Sequence, residues 1–261
     1  MQTAHFRNQL NLYRRKITLS IFGALFLIAE ASGQSRFNEI SKAGQDENFI
    51  SYGFFLAGHS NTWRMKYSEA FLDPSNTDLK NIQSIVPVFS GGFSLGFLVT
   101  FRLNDQLNLL VTPKVGFYEF RTDVNYFTAV PGNGNSGNEF VYKRDTYINE
   151  ATMVEFPVIF KYKAQRFNNT RMFFTGGGSA MFRTKDQEEA NIEDFVTKGK
   201  DFTVDVGMGF DLYFKFFKFS PEVRFSHGLL DVYKPEESNP AFRDAISEIR
   251  RKSITLYLNF Q

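Results

Sequence analysis

The sequence predicts an all-β fold, an eight-stranded antiparallel transmembrane β-barrel. Three observations point there. The first is strict alternation over Asp201 to Leu229. Phe202, Val204, Val206, Met208, Phe210, Leu212 and Phe214 share one face; Thr203, Asp205, Gly207, Gly209, Asp211 and Tyr213 share the other. A period of two over this length means strand, because successive side chains point to opposite sides. The second is the contrast between the faces. The interior of eight strands is only just wide enough for side chains. Small and charged residues suit that interior, whereas a layer of Phe suits a lipid-facing exterior. The third is composition. Phe occurs 32 times in 261 residues, yet mean hydropathy is −0.28. Polar inner faces dilute the average in this way.

The N-terminus reads as a secretory signal over residues 1–33. Arg14, Arg15 and Lys16 flank the apolar run Ile17 to Ala29, and Ala31-Ser32-Gly33 is a small-residue cleavage site. The run is too short to span a membrane as a helix. Cysteine is absent, so the exported chain has no disulfide framework. The first 33 residues hold four of the 30 Lys/Arg and one of the 28 Asp/Glu, leaving the rest nearly neutral. A nucleic-acid partner, which needs a basic surface, is not expected.

Residues 34–49 are polar and aperiodic, a periplasmic lead, and 50–261 form the barrel domain. Strand one begins near Ile50 and loosens from Gly58 to Lys66. A long gap, 67–88, contains the turn signal Asp73-Pro74-Ser75-Asn76. Strand two is Gly91 to Leu103. Strand three runs from Leu107 to about Phe120, followed by a gap at 122–150 with a Gly/Asn-rich stretch. Strand four is Thr152 to Lys163, and strand five Met172 to Phe182. A charged gap, 184–200, precedes the hairpin of strands six and seven, whose turn is Lys215-Phe216. In the gap 230–250, Pro240 to Ile249 has the composition of a short helix. Strand eight is Ser253 to Phe260. Pro113, Pro157 and Pro221 give no ladder donor, so bulges are expected there.

Gaps after strands one, three, five and seven are long; those after two, four and six are a few residues. Alternating long and short connections with an even strand count are the pattern of outer-membrane barrels. The expected location is therefore the outer membrane, with outer-membrane lipid as one partner.

Strand parity sends Arg102, Lys114, Glu155, Lys161, Lys163, Asp205, Asp211, Lys218, Glu222 and Arg224 to the interior. The Lys215-Phe216 turn sets Gly207 opposite Arg224 and Gly209 opposite Glu222. Asp205 is then diagonal to Arg224, and Asp211 to Lys218. Such charges form either a conduction path or a plug of ion pairs. Eight strands leave no aqueous pore and buried charges need partners, which favours the plug.

No site for chemistry is predicted, and no cofactor or metal. Thr175 to Ala180 lacks the Lys-Ser/Thr of a phosphate loop. His59 and His227 have no Gly-x-Ser-x-Gly element to serve and read as structural. Two exported histidines without cysteine do not suggest a zinc site.

Three stretches carry a resemblance: GFSLGFLVTFRLNDQLNLLVTPKVGF, VEFPVIFKYKAQRFNNTRMFFTGGG and FTVDVGMGFDLYFKFFKFSPEVRFSHGLLDVYKP. They resemble PorT (also called SprT), an outer-membrane barrel family of the type IX secretion system. That system exports proteins across the outer membrane of Bacteroidetes-type bacteria and supports gliding in some. The resemblance implies a non-catalytic structural or assembly role, with other secretion components as partners. The competing readings are a small porin-like or solute-binding barrel, a lipid-modifying barrel enzyme, and a soluble lipocalin-like barrel with its faces reversed.

Overall fold

The computed structural model describes residues 46–73, 79, 81–130, 139–184, 196–239 and 243–261. The expected signal over 1–33 lies outside these residues. The chain divides into two units. One is Ala43–Arg166 with Thr170–Gln261, and it is the barrel. Of the other, Met1–Lys42 with Phe167–Asn169, only the turn Phe167–Asn169 is described; there Asn168 takes a φ of 52°.

The barrel strands are β1 (Ile50–Tyr67), β2 (Ile82–Val88), β3 (Ser90–Arg102), β4 (Leu107–Val111) and β5 (Lys114–Val130). They continue as β6 (Glu139–Lys163), β7 (Thr170–Arg183), β8 (Lys200–Tyr213), β9 (Lys218–Gly228) and β10 (Ile246–Phe260). All pairings are antiparallel, and β1 pairs with both β3 and β10, which closes the sheet. Ten segments make eight walls. β4 and β5 are one strand broken at Thr112-Pro113, with the same register on either side. β2 and β3 are one strand kinked at Phe89, and the register against β5 slips by one residue across it. The barrel is thus eight-stranded, as the alternation predicts.

The hairpin β8–β9 has the expected register, with Gly207 opposite Arg224 and Gly209 opposite Glu222. Phe214 N–H donates to the Phe217 carbonyl at 3.0 Å and closes the turn. The prolines behave unequally. Pro113 interrupts its strand, but Pro157 and Pro221 stay in register opposite Ser179 and Leu258, without the bulges expected there. Each leaves its carbonyl for the ladder and loses only one donor.

Other expectations fail at the long-loop end. β2 occupies part of the gap 67–88. β5 runs on to Val130 and β6 starts at Glu139, so most of 122–150 is a two-stranded ribbon. β10 begins at Ile246, so Ile246–Ile249 are strand, not helix; before it, Arg243 N–H donates to Asn239 O at 3.0 Å, and the rest of the expected helix, residues 240–242, lies outside the described residues. At this end the outward positions carry charge and polar groups, such as Arg121, Asp123 and Arg144, while the apolar residues turn inward, so the alternation of lipid-facing Phe with charge is lost while the ladder continues.

Apolar residues on the outward faces are exposed in bulk: Phe54, Leu56, Phe93, Phe97, Phe160, Val206 and Phe225 among them. The buried apolar core sits inside the long-loop end. There Trp63, Phe120, Val124, Ile82, Ile85, Val232, Tyr233 and Ile249 pack together. The Trp63 and Phe120 rings stack with centroids 3.8 Å apart. Inward residues of β1, β2, β5 and β10, with Val232 and Tyr233 from the segment after β9, thus cap one end of the lumen with hydrocarbon, while charge fills the middle.

Candidate functional site

The lumen between the apolar cap and the short-turn end is lined by inward positions of every wall. Parity alone puts them there. Lys114, Glu155, Lys161, Lys163, Asp205, Asp211, Lys218, Glu222 and Arg224 are all buried. Arg102 is not: its side chain is 31% exposed. It ends β3, so its guanidinium reaches the rim instead of the interior. There it meets Asp105 and donates to Glu47 O at 3.1 Å.

The buried charges pair in layers. Lys114 stands directly opposite Glu155 and reaches its Oε2 at 2.9 Å. Tyr118 Oη donates to the other carboxylate oxygen, and Lys114 Nζ donates to Tyr257 Oη at 3.0 Å. Arg224 Nη2 meets Glu222 Oε1 at 2.8 Å, where Thr175 Oγ1 also donates at 2.7 Å. The Arg224 guanidinium lies 4.3 Å from the Tyr257 ring centroid. Lys161 Nζ meets Asp211 Oδ1 at 2.6 Å, and Ser220 Oγ donates to the same oxygen at 2.5 Å.

Neither diagonal across the hairpin forms an ion pair. Asp205 instead accepts from the hydroxyls of Ser179 and Thr203. Arg224 finds Glu222 two residues away on its own face, a shorter reach than the diagonal. Asp211 turns to Lys161 on β6, which leaves Lys218 to a partner that strand parity does not reveal.

That partner is Asp46, from the segment preceding β1. Its carboxylate enters the short-turn mouth. Lys218 Nζ lies 3.3 Å from Oδ1, Arg171 Nη1 3.3 Å and Lys163 Nζ 3.8 Å from Oδ2, and Tyr213 Oη donates to Oδ2. Three cations from three strands thus converge on one carboxylate. Burial opposes the charge on Asp46, but Lys218, the Tyr213 hydroxyl and Lys163 outweigh it and hold the carboxyl well below the usual range.

A second pair escaped the sequence reading. Arg251 and Asp201 are buried below the apolar cap, with Nε 3.9 Å from Oδ2. The Arg251 guanidinium rests on Met153 Sδ at 2.6 Å and sits over Trp63 and Phe120. The alternation through Arg251, Ser253, Thr255 and Tyr257 contains this signal. Starting strand eight at Ser253 cut it off. Beside Arg251, a cavity of about 10 Å³ lined by Lys114, Tyr118, Glu155 and Thr203 has room for one water.

The histidines lie on opposite sides of the wall. His59 is buried inside, stacked on Tyr118 at 4.3 Å and 2.8 Å from Asn61 Nδ2. His227 is on the outer face with Val204, Phe225 and Ile254. They share no site. Among the described residues, no group of three or more His, Cys, Asp or Glu is placed to hold a metal.

Residues 34–234 match the model of the outer membrane protein beta-barrel domain family. The chain belongs to this family. No curated protein matches its sequence. Among solved structures, it is similar to the outer membrane protein OprG from Pseudomonas aeruginosa, at 10% identity and a TM-score of 0.39, covering 82% of this chain and 96% of that one. It is also similar to Neisserial surface protein A, at 9% identity and a TM-score of 0.41, covering 81% and 98%. A third is Ail of Yersinia pestis, solved with the heparin analogue sucrose octasulfate, at 6% identity and a TM-score of 0.33, covering 80% and 96%.

Membership in the outer-membrane barrel family implies an outer-membrane location. By the rule of such barrels, the short turns face the periplasm and the long connections the exterior. Asp46 then closes the periplasmic mouth. A carboxyl whose folded-state pKa is depressed adds stability that is fully present above its unfolded value, about 3.9, and is lost as pH falls through the folded one. Asp46→Asn is therefore expected to lower stability by a nearly constant amount from pH 5 to 6, with the gap narrowing below about pH 4. Urea midpoints of both proteins in detergent across that range check this; a gap that widens in acid would rule it out.

Proposed function

We propose that this outer-membrane barrel is a non-catalytic structural or assembly component of the type IX protein secretion system and of the gliding motility linked to it. The observation that carries the reading is the filled lumen. Ion pairs occupy it at the level of the apolar belt, Asp46 stands in its periplasmic mouth and hydrocarbon caps its outer end. A wall packed in this way supports a scaffold with working surfaces at its rims, loops and lipid face. The resemblance of three long stretches to PorT supports the choice of system, and other secretion components are the partners it implies.

Deletion of the gene is expected to abolish release of type IX cargo into the medium, with restoration by the intact gene. Normal cargo secretion in the deletion strain sinks the proposal. A porin-like barrel is the second reading. It calls for stepwise conductance in planar bilayers, against which the paired lumen argues. The lipid-modifying reading needs a shared site, and His59 and His227 stand on different faces.

A further inference from the structure

The outer wall is not uniform around its circumference. Over β8, β9, β10 and β1 it carries a hollow of about 390 Å³, walled by Phe89, Thr62, Ile254, Phe225, Val204 and Val206. Its cause is local. The outward positions of β1 fall from Tyr52, Phe54 and Leu56 to Gly58, Ser60 and Thr62. A Cβ on Gly58 would meet nothing within 4 Å. Phe89, held out at the kink between β2 and β3, forms the far side.

The hollow lies toward the exterior end, directly below a row of cations. Thr62 pairs with Lys252, Lys252 with His227, and His227 with Val204, so Lys252 stands in the floor's own row. One step outward, Arg64 pairs with Arg250. Lys200 begins β8 above Phe202, and Lys66 follows on β1. Arg64, Lys66, Lys200 and Lys252 are exposed. Among the described residues of these four strands, one carboxylate, Glu248, shares this outward face, and it is taken by Lys66 and Arg250. Arg64 and Lys252 make no ion pair among the described residues. Five cations against one carboxylate among the described residues of these strands, above an apolar hollow, complement an amphiphile with an anionic head and hydrocarbon tails.

We propose that this face binds a phosphorylated lipid of the outer leaflet, with an acyl chain in the hollow and its phosphate between Arg64 and Lys252. Cations at the interface attract anionic head groups, while the hollow selects for the chain. The site is independent of the secretion reading, since it rests on the wall alone.

The test uses the full exported chain in detergent micelles and native mass spectrometry, with diphosphoryl lipid A and its phosphate-free counterpart as probes. The intact protein is expected to retain the phosphorylated lipid and to lose the phosphate-free one. Arg64→Ser with Lys252→Ser is expected to weaken retention by roughly tenfold or more. Val206→Trp, which fills the hollow, is expected to weaken retention of the phosphorylated lipid while the heat-modifiable gel shift of the folded barrel persists. Equal retention of the two lipids by the intact protein overturns the proposal and needs no variant. So does unchanged retention in the double variant, or a photocrosslinker at Phe89 that captures only protein in outer membranes.

Discussion

Replacing Asp211 by Ala is expected to destabilise the folded barrel by about 3–5 kcal/mol. The carboxylate is fully buried and is the ion-pair partner of Lys161, whose side chain is itself buried at the level of the apolar belt. Without it, the ammonium group has the Phe173 ring at 3.7 Å and no carboxylate of its own. Ser220 also loses its acceptor. The loss is mainly the cost of a stranded charge, so removing the charge as well should recover much of it. Lys161→Met with Asp211→Ala is expected to fold with a midpoint well above that of the single variant. Denaturant unfolding from lipid vesicles, read by the gel shift, separates the cases. Equal stability of the single variant and the parent would mean that water reaches the pair and screens it.

The second large effect belongs to the wall. Gly209→Leu is expected to cost about 3 kcal/mol or more and to slow or block barrel closure. Gly209 faces inward opposite Glu222. A Cβ there would run into the Pro221 carbonyl oxygen, with the Phe173 ring 2.5 Å away. The first of these is backbone and cannot swing aside. Met208→Leu, one residue along and facing lipid, is the control and should change stability little, because volume is conserved on an open face. If both variants fold equally well, the glycine is not there to make room for the charged layer.

Much of this architecture is legible in the sequence, and where legibility ends is physically informative. Wherever one face is lipid and the other is lumen, the alternation of Phe with charge fixes strand, register and inward set together. The β8–β9 hairpin is read down to its opposing pairs. Legibility falls where that two-solvent contrast ends. Between Glu139 and Thr152, residues such as Lys143, Arg144 and Asp145 follow one another on both faces, so the longest strand looks like a loop. Arg102 fails for a related reason: parity names a face but not a depth, and at a strand end the two differ. Asp46 was invisible because it belongs to no strand. Its role comes from the three cations that strands β6, β7 and β9 bring to one mouth, a coincidence of fold and not of sequence spacing.

The long ribbon of β5 and β6 has a consequence for life in a crowded membrane. A spanning strand needs about 9–11 residues, and β6 has 25, so much of it stands clear of the lipid. From Glu139 to Ala151 its ladder partner among the described residues is β5 alone, because pairing with β7 starts at Met153 and Thr184 N–H already donates to Thr152 O. An open edge is a template on which a neighbouring chain can add its own strand. Lys143, Arg144, Asp145 and Glu150 stand along this one, and although Lys143 pairs with Asp145 and Arg144 with Asp123, covering these water-exposed charges with a second copy would strip their hydration. Strand addition at this edge is therefore disfavoured, which guards the ribbon against sheet-to-sheet polymerisation.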